Sequence, residues 1–512
     1  MPDTVPVPPE AGCHPPDFSH AAAASPAALL GLVSGLRDCV AAEAAAVLAG
    51  WGDRVERRAF RLSAANFADY LALRRHDLRP LQTALMPWGL SSLGRCEGRV
   101  RANLDAVAAA LAAIAGAPRP GDFPGPRRYF RGERLLARNA VELFGPRPDG
   151  PRQVRILVTL PPEAATDPAL MRRLVQAGTD AVRINCAHDG PDAWGRMIAN
   201  LRGAEAATGR RVRVLMDLAG PKVRTGSVLT PAGDRRIGIG DPLLLTAAAR
   251  FPRRDAPLHQ ATCTIPAVLA CARPGHRVFI DDGRVGAVVT AAGPDGLLLR
   301  VEHAPPDGHR LKPEKGLNFP DTELGLAALT DDDRADLDFV AAHADLIGYS
   351  FVQSAEDVHA LQEELRRRRP DDWRRLGLVA KIETPRAVRN LPGIIVAAAG
   401  RQPFGIMIAR GDLAVELGFE RTAEMQEEIL WLAEAAHVPV IWATQVLETL
   451  VKKGLPTRGE MTDAAMASRA ECVMLNKGEH VAEAVAALDR LLGRMAGHQM
   501  KKTPRLRALL SW

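Results

Sequence analysis

Two hydrophobic textures divide the chain. From about Ser25 to Ala115, alanine and leucine recur every three or four residues, in LLGLVSGLRDCVAAEAAAVLAGW, FADYLALRRHDLRPLQTAL and RVRANLDAVAAALAAIAG. That spacing keeps apolar side chains on one face of a helix. It predicts a helical N-terminal region over residues 19–150, a bundle or cap. A proline-rich segment, residues 1–18, precedes it and is expected to be a disordered tail. The run APRPGDFPGPRR breaks the pattern near residues 117–127. From residue 152 short apolar runs alternate with helical stretches instead. The runs are VRILVTL, DAVRINC, VRVLMDL, DLIGYSF, LGLVAKI, FGIMIAR, VPVIWAT and ECVMLNK. Uninterrupted apolar runs mark strands buried on both faces, and helices between them make the strands parallel. Eight such units predict an α/β fold, a closed (β/α)8 TIM barrel.

One gap, between Leu218 and Asp345, is too long for a single helix. It holds GDRRIGIGDPLLLTAA and RVFIDDGRVGAVVTAAGPDGLLLRVEHA, which alternate as strands do and are punctuated by Gly, Pro and Asp. We therefore expect a first barrel segment over 151–223 and an inserted small β-barrel lid domain over 224–314. The remaining barrel segment follows over 315–497, then a C-terminal tail over 498–512. An insert after the third strand lies at the C-terminal face of the barrel, where active sites of such barrels lie, so a mobile lid is expected.

Polar residues gather where the predicted strands end. Arg183 and Asn185 end the second, Asp217 the third, Ser350 the fourth, Lys381 and Glu383 the fifth. Arg410 and Asp412 end the sixth, and Thr444 and Gln445 the seventh. Lys381 and Glu383 are two residues apart on one strand and share a face. Glu383 and Asp412 offer hard oxygen ligands suited to Mg²⁺. A lysine beside such a metal suits a group with dispersed negative charge, such as a phosphoryl in transfer. In IARGDLAVE, Gly411 and Asp412 stand at an expected helix start, whose free amides would hold a carboxylate or phosphate. Arg183 and Arg224 add guanidinium forks for phosphate oxygens.

Composition narrows the reading. Hydrophobic residues make up 47% and charged residues 25%, ordinary globular values that exclude a collagen-like or mainly disordered chain. Aromatic residues are only 4%, which argues against stacking platforms for nucleic acid. Apolar stretches fall short of a membrane span, so neither nucleic acid nor membrane is an expected partner. The seven cysteines include no CxxC pair, which leaves zinc sites and a disulfide framework unsupported. The start MPDTVPVPPE lacks the basic segment of a signal peptide. A reduced, cytoplasmic protein is the expectation. The net charge is +6, yet only nine of the 66 basic residues are lysine. Each internal lysine therefore invites a question, while terminal Lys501 and Lys502 are given no role.

Read together, VRINCAHDG, MDLAGPKVRTG, EKGLNFP, AKIET, IARGDLAVE and ATQVLETLVKKGLPTRGE resemble the pyruvate kinase family, in its order and on either side of the insert. The likeness runs from about residue 154 to 494. It implies Mg²⁺-dependent transfer (Mn²⁺ as a substitute) of phosphate from phosphoenolpyruvate to ADP, giving pyruvate and ATP. By the same resemblance, Lys381 would stabilise the phosphoryl in flight, Glu383 and Asp412 would bind the metal, and Arg183 would grip the phosphoenolpyruvate phosphate. Gly411, Asp412 and Thr444 would hold the substrate carboxylate, with Thr444 assisting enolate protonation. Lys315, His188 and Arg224 would lie on the nucleotide side, and Asn185 and Asp217 at the family's monovalent-cation site.

The chain also departs from that pattern. Ala187 and Leu218 stand where the family has a serine and a threonine at its potassium site. Lys222 in AGPKVRTG stands where potassium-dependent members carry glutamate. Potassium is therefore not an expected requirement, with the Lys222 ammonium supplying the charge and pairing with Asp217. Asn476, Lys477, Gly478 and Glu479 replace the usual Ser–Gly–Glu–Thr stretch. A C-terminal regulatory domain is not expected, and the helical N-terminal region has no counterpart in the ordinary enzyme. A non-catalytic or regulatory paralogue binding phosphoenolpyruvate or nucleotide, or another oxo-acid-handling barrel, stays open as an alternative, as does assembly into a homo-oligomer.

Overall fold

The computed structural model describes residues 16–21, 24–147, 150–231, 236–248, 251, 258–505 and 507. The expected tail over 1–18 therefore lies outside the described residues except for its last three. Helices come first: α1 (Pro26–Trp51), α2 (Arg61–Leu73), α3 (Arg79–Leu85), α4 (Val100–Ala115), α5 (Pro126–Tyr129) and α6 (Arg131–Phe144). Local chemistry starts α1 sharply. The Ser25 hydroxyl accepts the Ala28 amide at 3.3 Å, and Pro26 fills the first helical position. Leu29, Val33, Leu36 and Val40, spaced three or four apart, are buried along its inner stripe, against α2 and α4.

Eight parallel strands then close into a barrel. Three precede the insert: β1 (Arg155–Thr159), β2 (Ala181–Asn185) and β3 (Arg213–Asp217). The insert is a seven-stranded sheet made of β4 (Thr225–Leu229), β5 (Pro242–Thr246), β6 (His259–Cys263), β7 (Arg277–Ile280), β8 (Val285–Gly293), β9 (Gly296–His303) and β10 (Leu317–Asn318). Its apolar core, around Leu243, Val278, Val289 and Leu299, is separate from the barrel's. The sheet reaches past residue 314, because two-residue β10 pairs back onto β7. A strand that short leaves no alternation to read. After the insert come β11 (Leu346–Tyr349), β12 (Gly377–Ile382), β13 (Phe404–Ala409), β14 (Val440–Ala443) and β15 (Cys472–Leu475). All eight barrel strands fall inside the apolar runs of the sequence.

Helices α7 (Pro168–Ala177), α8 (Pro191–Thr208), α9 (Asp331–His343), α10 (Ala355–Arg368), α11 (Pro385–Arg389), α12 (Leu391–Ala399), α13 (Arg410–Leu417), α14 (Phe419–Ala435), α15 (Glu448–Lys453), α16 (Arg458–Met466) and α17 (Val481–Met495) occupy the intervening stretches. Capping boxes start three of them, with Thr330–Asp333, Ser354–Asp357 and Thr457–Glu460 as the reciprocal pairs. No helix of the described residues is long and apolar enough to cross a membrane.

Alternate residues of the barrel strands fill its interior: Leu157, Ala181, Leu215, Leu346, Val379, Met407, Ile441 and Cys472. Leu143 and Phe144 at the end of α6 join this cluster, plugging the barrel at the N-terminal ends of its strands. Two glycines make the room. A β-carbon at Gly377 would lie 2.9 Å from a Leu143 methyl, and one at Gly405 would lie 3.0 Å from the other. The helical region also docks on the barrel's outer layer. Asn66 Nδ2 donates to the Ala435 carbonyl at 2.8 Å, and the His437 ring bridges Ser63 Oγ and the Gly98 carbonyl, both at 3.0 Å.

The C-terminal segment is more than a tail. It carries a hairpin, β16 (Gln499–Met500) and β17 (Thr503–Pro504). Lys501 pairs with Glu471 at 2.5 Å and Lys502 with Glu97. The two lysines to which the sequence assigned no role thus tie the hairpin to the barrel and to the helical region. Their partners lie far away in sequence, so local pattern could not show them.

Candidate active site

Strand alternation aims Arg183, Asp217 and Lys381 into the C-terminal mouth of the barrel, where they meet. Asp217 is completely buried. Arg183 Nε donates to its Oδ2 at 2.9 Å, and Lys381 Nζ stands 3.2 Å from the same oxygen. Burial works to raise the Asp217 pKa, but the two cations outweigh it and hold the carboxyl below its ordinary value. Its other oxygen, Oδ1, has no hydrogen-bond partner among the described residues. Gly348 of β11 is required beside it, because a β-carbon there would lie 2.0 Å from Oδ1.

Lys381 also reaches Glu383 at 3.1 Å and donates to Ser350 Oγ at 2.8 Å. Desolvation works against its charge, yet Asp217 and Glu383 keep its pKa above the usual lysine value. Glu383 is held in place by the Phe351 amide, which donates to Oε2 at 2.6 Å. Burial pushes its pKa up; Lys381 opposes this and the Asp412 carboxylate adds to it. Although each already meets an ammonium, Lys381 and Lys222 respectively, Glu383 and Asp412 repel across the mouth. Their hard oxygens fit a Mg²⁺-sized cation that keeps open positions for substrate oxygens.

Gly411 and Asp412 lie in the first turn of α13, as expected. Thr444 is beside them: a β-carbon on Gly411 would come within 2.9 Å of its methyl group. Thr444 (φ 71°), Gln445 (φ 58°) and Phe351 (φ 54°) are non-glycine residues in the left-handed region. Each such residue costs on the order of 1–3 kcal/mol, and here they cluster in the loops after strands. Arg410 holds one of these loops. It donates to the carbonyls of Ala443 at 2.9 Å and Thr444 at 2.6 Å, and both its Nη atoms reach Asp463 of α16, at 2.6 and 2.9 Å.

One expectation is corrected. Lys222 does not pair with Asp217. Its ammonium lies 2.9 and 3.1 Å from the two oxygens of Asp412. The chain turns at Gly220 (φ 66°) after β3, which carries Lys222 across the mouth to the end of β13, while the charge of Asp217 is already met at Oδ2 by Arg183 and Lys381. Asn185 ends β2, and its Oδ1 accepts the Ala187 amide at 3.3 Å. The Leu218 carbonyl, the one oxygen that residue could offer a monovalent ion, accepts the Ser350 hydroxyl at 2.6 Å.

Arg224 and Lys315 sit on adjoining strand ends at the lid hinge. Arg224 Nη1 donates to the Glu314 carbonyl at 3.1 Å, and Lys315 Nζ pairs with Asp281 at 2.9 Å. His188 lies in the loop after β2, within electrostatic reach of Arg224. Burial, then the charges of Lys477 and Arg224, hold its pKa below the usual histidine value. A cavity of 300 Å³ beside His188 is lined by Arg183, Asn185 and Lys477 as well. A second, of 260 Å³, opens between barrel and lid beside Lys222, Asp412 and Glu416. Sequence reasoning missed Asp463, Asp281 and Glu416. Asp281 sits in an Asp-Asp-Gly turn that reads as ordinary turn chemistry, and Asp463 and Glu416 lie within helices with no distinguishing spacing.

Comparison with known proteins agrees with this geometry. The family model described as pyruvate kinase, barrel domain, matches residues 151–485. The chain is 33% identical over 351 residues to a protein named pyruvate kinase from Methylorubrum extorquens, covering 66% of this chain and 68% of that protein. A pyruvate kinase of Mycobacterium tuberculosis is 33% identical over 347 residues, 67% of this chain and 69% of the relative. Rat pyruvate kinase PKLR is 32% identical over 358 residues, which span 59% of its length.

Proposed function

The chain belongs to the pyruvate kinase family, and from that premise we propose that it transfers a phosphoryl group from phosphoenolpyruvate to ADP, releasing pyruvate and ATP. The carrying observation is the enclosed Lys381, bridging Asp217 and Glu383 at the mouth of the barrel. A buried, positively held ammonium there is preorganised for charge that develops in the transition state. Arg183 would add its remaining N–H donors to the phosphate of phosphoenolpyruvate, Nε and one N–H of Nη2 being committed to Asp217 and one of Nη1 to Thr159. The first-turn amides of α13, at Gly411 and Asp412, would receive the substrate carboxylate. Thr444, beside Gly411, would orient the proton that reaches the enolate carbon after the P–O bond breaks. His188, Arg224 and Lys315 would take the ADP phosphates from the lid side. Mg²⁺ or Mn²⁺ held by Glu383 and Asp412 would supply Lewis-acid charge to the phosphoryl and enolate oxygens.

Lys222 supports a reading in which K⁺ is dispensable. Its ammonium is a fixed positive charge at the barrel mouth, 2.9 Å from Asp412. Ala187 has no side-chain oxygen, and the Leu218 carbonyl is already engaged. The test is pyruvate formation from phosphoenolpyruvate and ADP with Mg²⁺ in tetramethylammonium buffer, before and after KCl at matched ionic strength. Turnover without K⁺, lost in Lys222→Glu and partly restored there by K⁺, is expected. No pyruvate under any condition overturns the activity. A large saturable K⁺ activation of the unaltered protein overturns only the role of Lys222.

A further inference from the structure

A cavity of 190 Å³ lies at the opposite mouth of the barrel. Its walls are the start of β1, helix α6, the end of α14 and the junction of α17 with the C-terminal hairpin. We propose that it binds a small organic anion, a phosphate ester or carboxylate, at a site separate from the phosphoryl-transfer centre.

Uncompensated positive charge gathers on the cavity wall. Arg155 opens β1 and is 2% exposed. Two of its nitrogens donate to carbonyls, of Gln153 at 3.3 Å and Gly145 at 3.0 Å. Its Nε has no acceptor, and among the described residues no carboxylate pairs with it. Carbonyl oxygens orient a guanidinium without neutralising it, and the acids that favour its charge from farther off, Asp180 and Glu471, are themselves paired with Arg152 and Lys501, so the buried charge is incompletely balanced, a costly arrangement without an anion. Burial accordingly pushes its pKa below the usual arginine value.

Two more lining guanidiniums lack a carboxylate among the described residues. Arg147 is exposed, and Arg505 donates to the Ala496 carbonyl and to Met500 Sδ, both at 3.1 Å. Other charges on the wall cancel in pairs: Arg99 with Glu133, Lys501 with Glu471, and Arg469 with Glu427 behind it. Among the described residues of the wall Glu434 is the acid left unpaired, and burial pushes it up to about 7, so it only partly offsets three cations. Leu136 and Leu492 supply apolar surface on the same wall, which favours an organic body over a bare inorganic ion.

The test is isothermal titration calorimetry on the full chain with two probes, glycerol phosphate and succinate, to separate phosphate from carboxylate recognition. One probe is expected to bind the unaltered protein, and Arg147→Ala/Arg505→Ala to weaken it by about tenfold or more. That double variant touches neither the barrel mouth described above nor the packed core, so its turnover should be unchanged. Arg155→Met should abolish binding, and if it fails to fold the double variant still decides. Absence of heat from both probes at about 10 mM, or equal binding to the unaltered and doubly substituted chains, overturns the proposal.

Discussion

At the scale of single residues, the candidate site is governed by how many charges one small enclosure can hold. Asp217 tolerates complete burial because Arg183 and Lys381 reach the same oxygen. Lys381 in turn keeps its proton because two carboxylates outweigh its desolvation. Replacing Lys381 by Met should lower turnover by about 10²–10³, the usual cost of one preorganised donor, while phosphoenolpyruvate still quenches or shifts a binding signal. Steady-state kinetics with a parallel binding titration check this. Glu416 gives a pH-dependent counterpart. Burial pushes its pKa up to about 7, from an ordinary value near 4.5, although Asn318 donates to it at 2.9 Å. The folded chain therefore holds this proton more tightly than the unfolded one. Its stabilisation is complete below about pH 4.5 and is lost as pH rises through about 7. Glu416→Gln should thus gain in Tm over the unaltered protein between pH 5 and pH 8, as thermal melts would read directly. Lys381 and Glu383 were legible in the sequence because strand alternation alone puts them on one face. The partner of Lys222 was not, because its direction is set by the turn at Gly220 and by which carboxylates are already occupied.

Among the elements, the joint between helical region and barrel turns on one histidine. His437 follows α14, is 2% exposed, and is bonded on both ring nitrogens to residues of the N-terminal region. Gly132 of α6 crosses the same spot so closely that a β-carbon would lie 1.9 Å from the Gly98 carbonyl. Burial pushes the His437 pKa down to about 4, against an ordinary 6.5. The folded chain thus prefers the neutral ring. Stability from this source is full above pH 6.5 and is lost as pH falls toward 4, by an amount on the order of 3 kcal/mol. Urea unfolding at pH 7 and pH 5 should show about 2 kcal/mol of that loss in the unaltered protein, and His437→Gln should show a smaller one. Elements with strong periodicity were readable in advance: the eight buried strands and the long helices α1 and α4. Two-residue strands β10, β16 and β17 were not, since they exist only through partners supplied by other parts of the chain.

For the molecule as a whole, the barrel is finished by a piece from outside it. Leu143 and Phe144 fill the floor on which the interior side chains rest. Phe144→Ala should cost about 3–5 kcal/mol, the range for emptying a large buried aromatic site, and chemical denaturation would measure it. Architecture was legible in the order of strands, insert and helices, but this plug was not, because nothing in the amphipathic pattern of α6 tells which neighbour its final turn enters. The plug also has a consequence for the order of events in time. Helix α6 emerges from the ribosome before any barrel strand, while β15, whose Cys472 and Met474 belong to the same buried cluster as the plug, emerges last of the eight. The hole that Leu143 and Phe144 occupy does not exist until β15 joins the ring. Ring closure, in turn, leaves that hole empty until α6 enters it. Completing this cluster therefore needs both α6 and β15, and a chain that has yet to make β15 has no finished ring in which to seat Leu143 and Phe144.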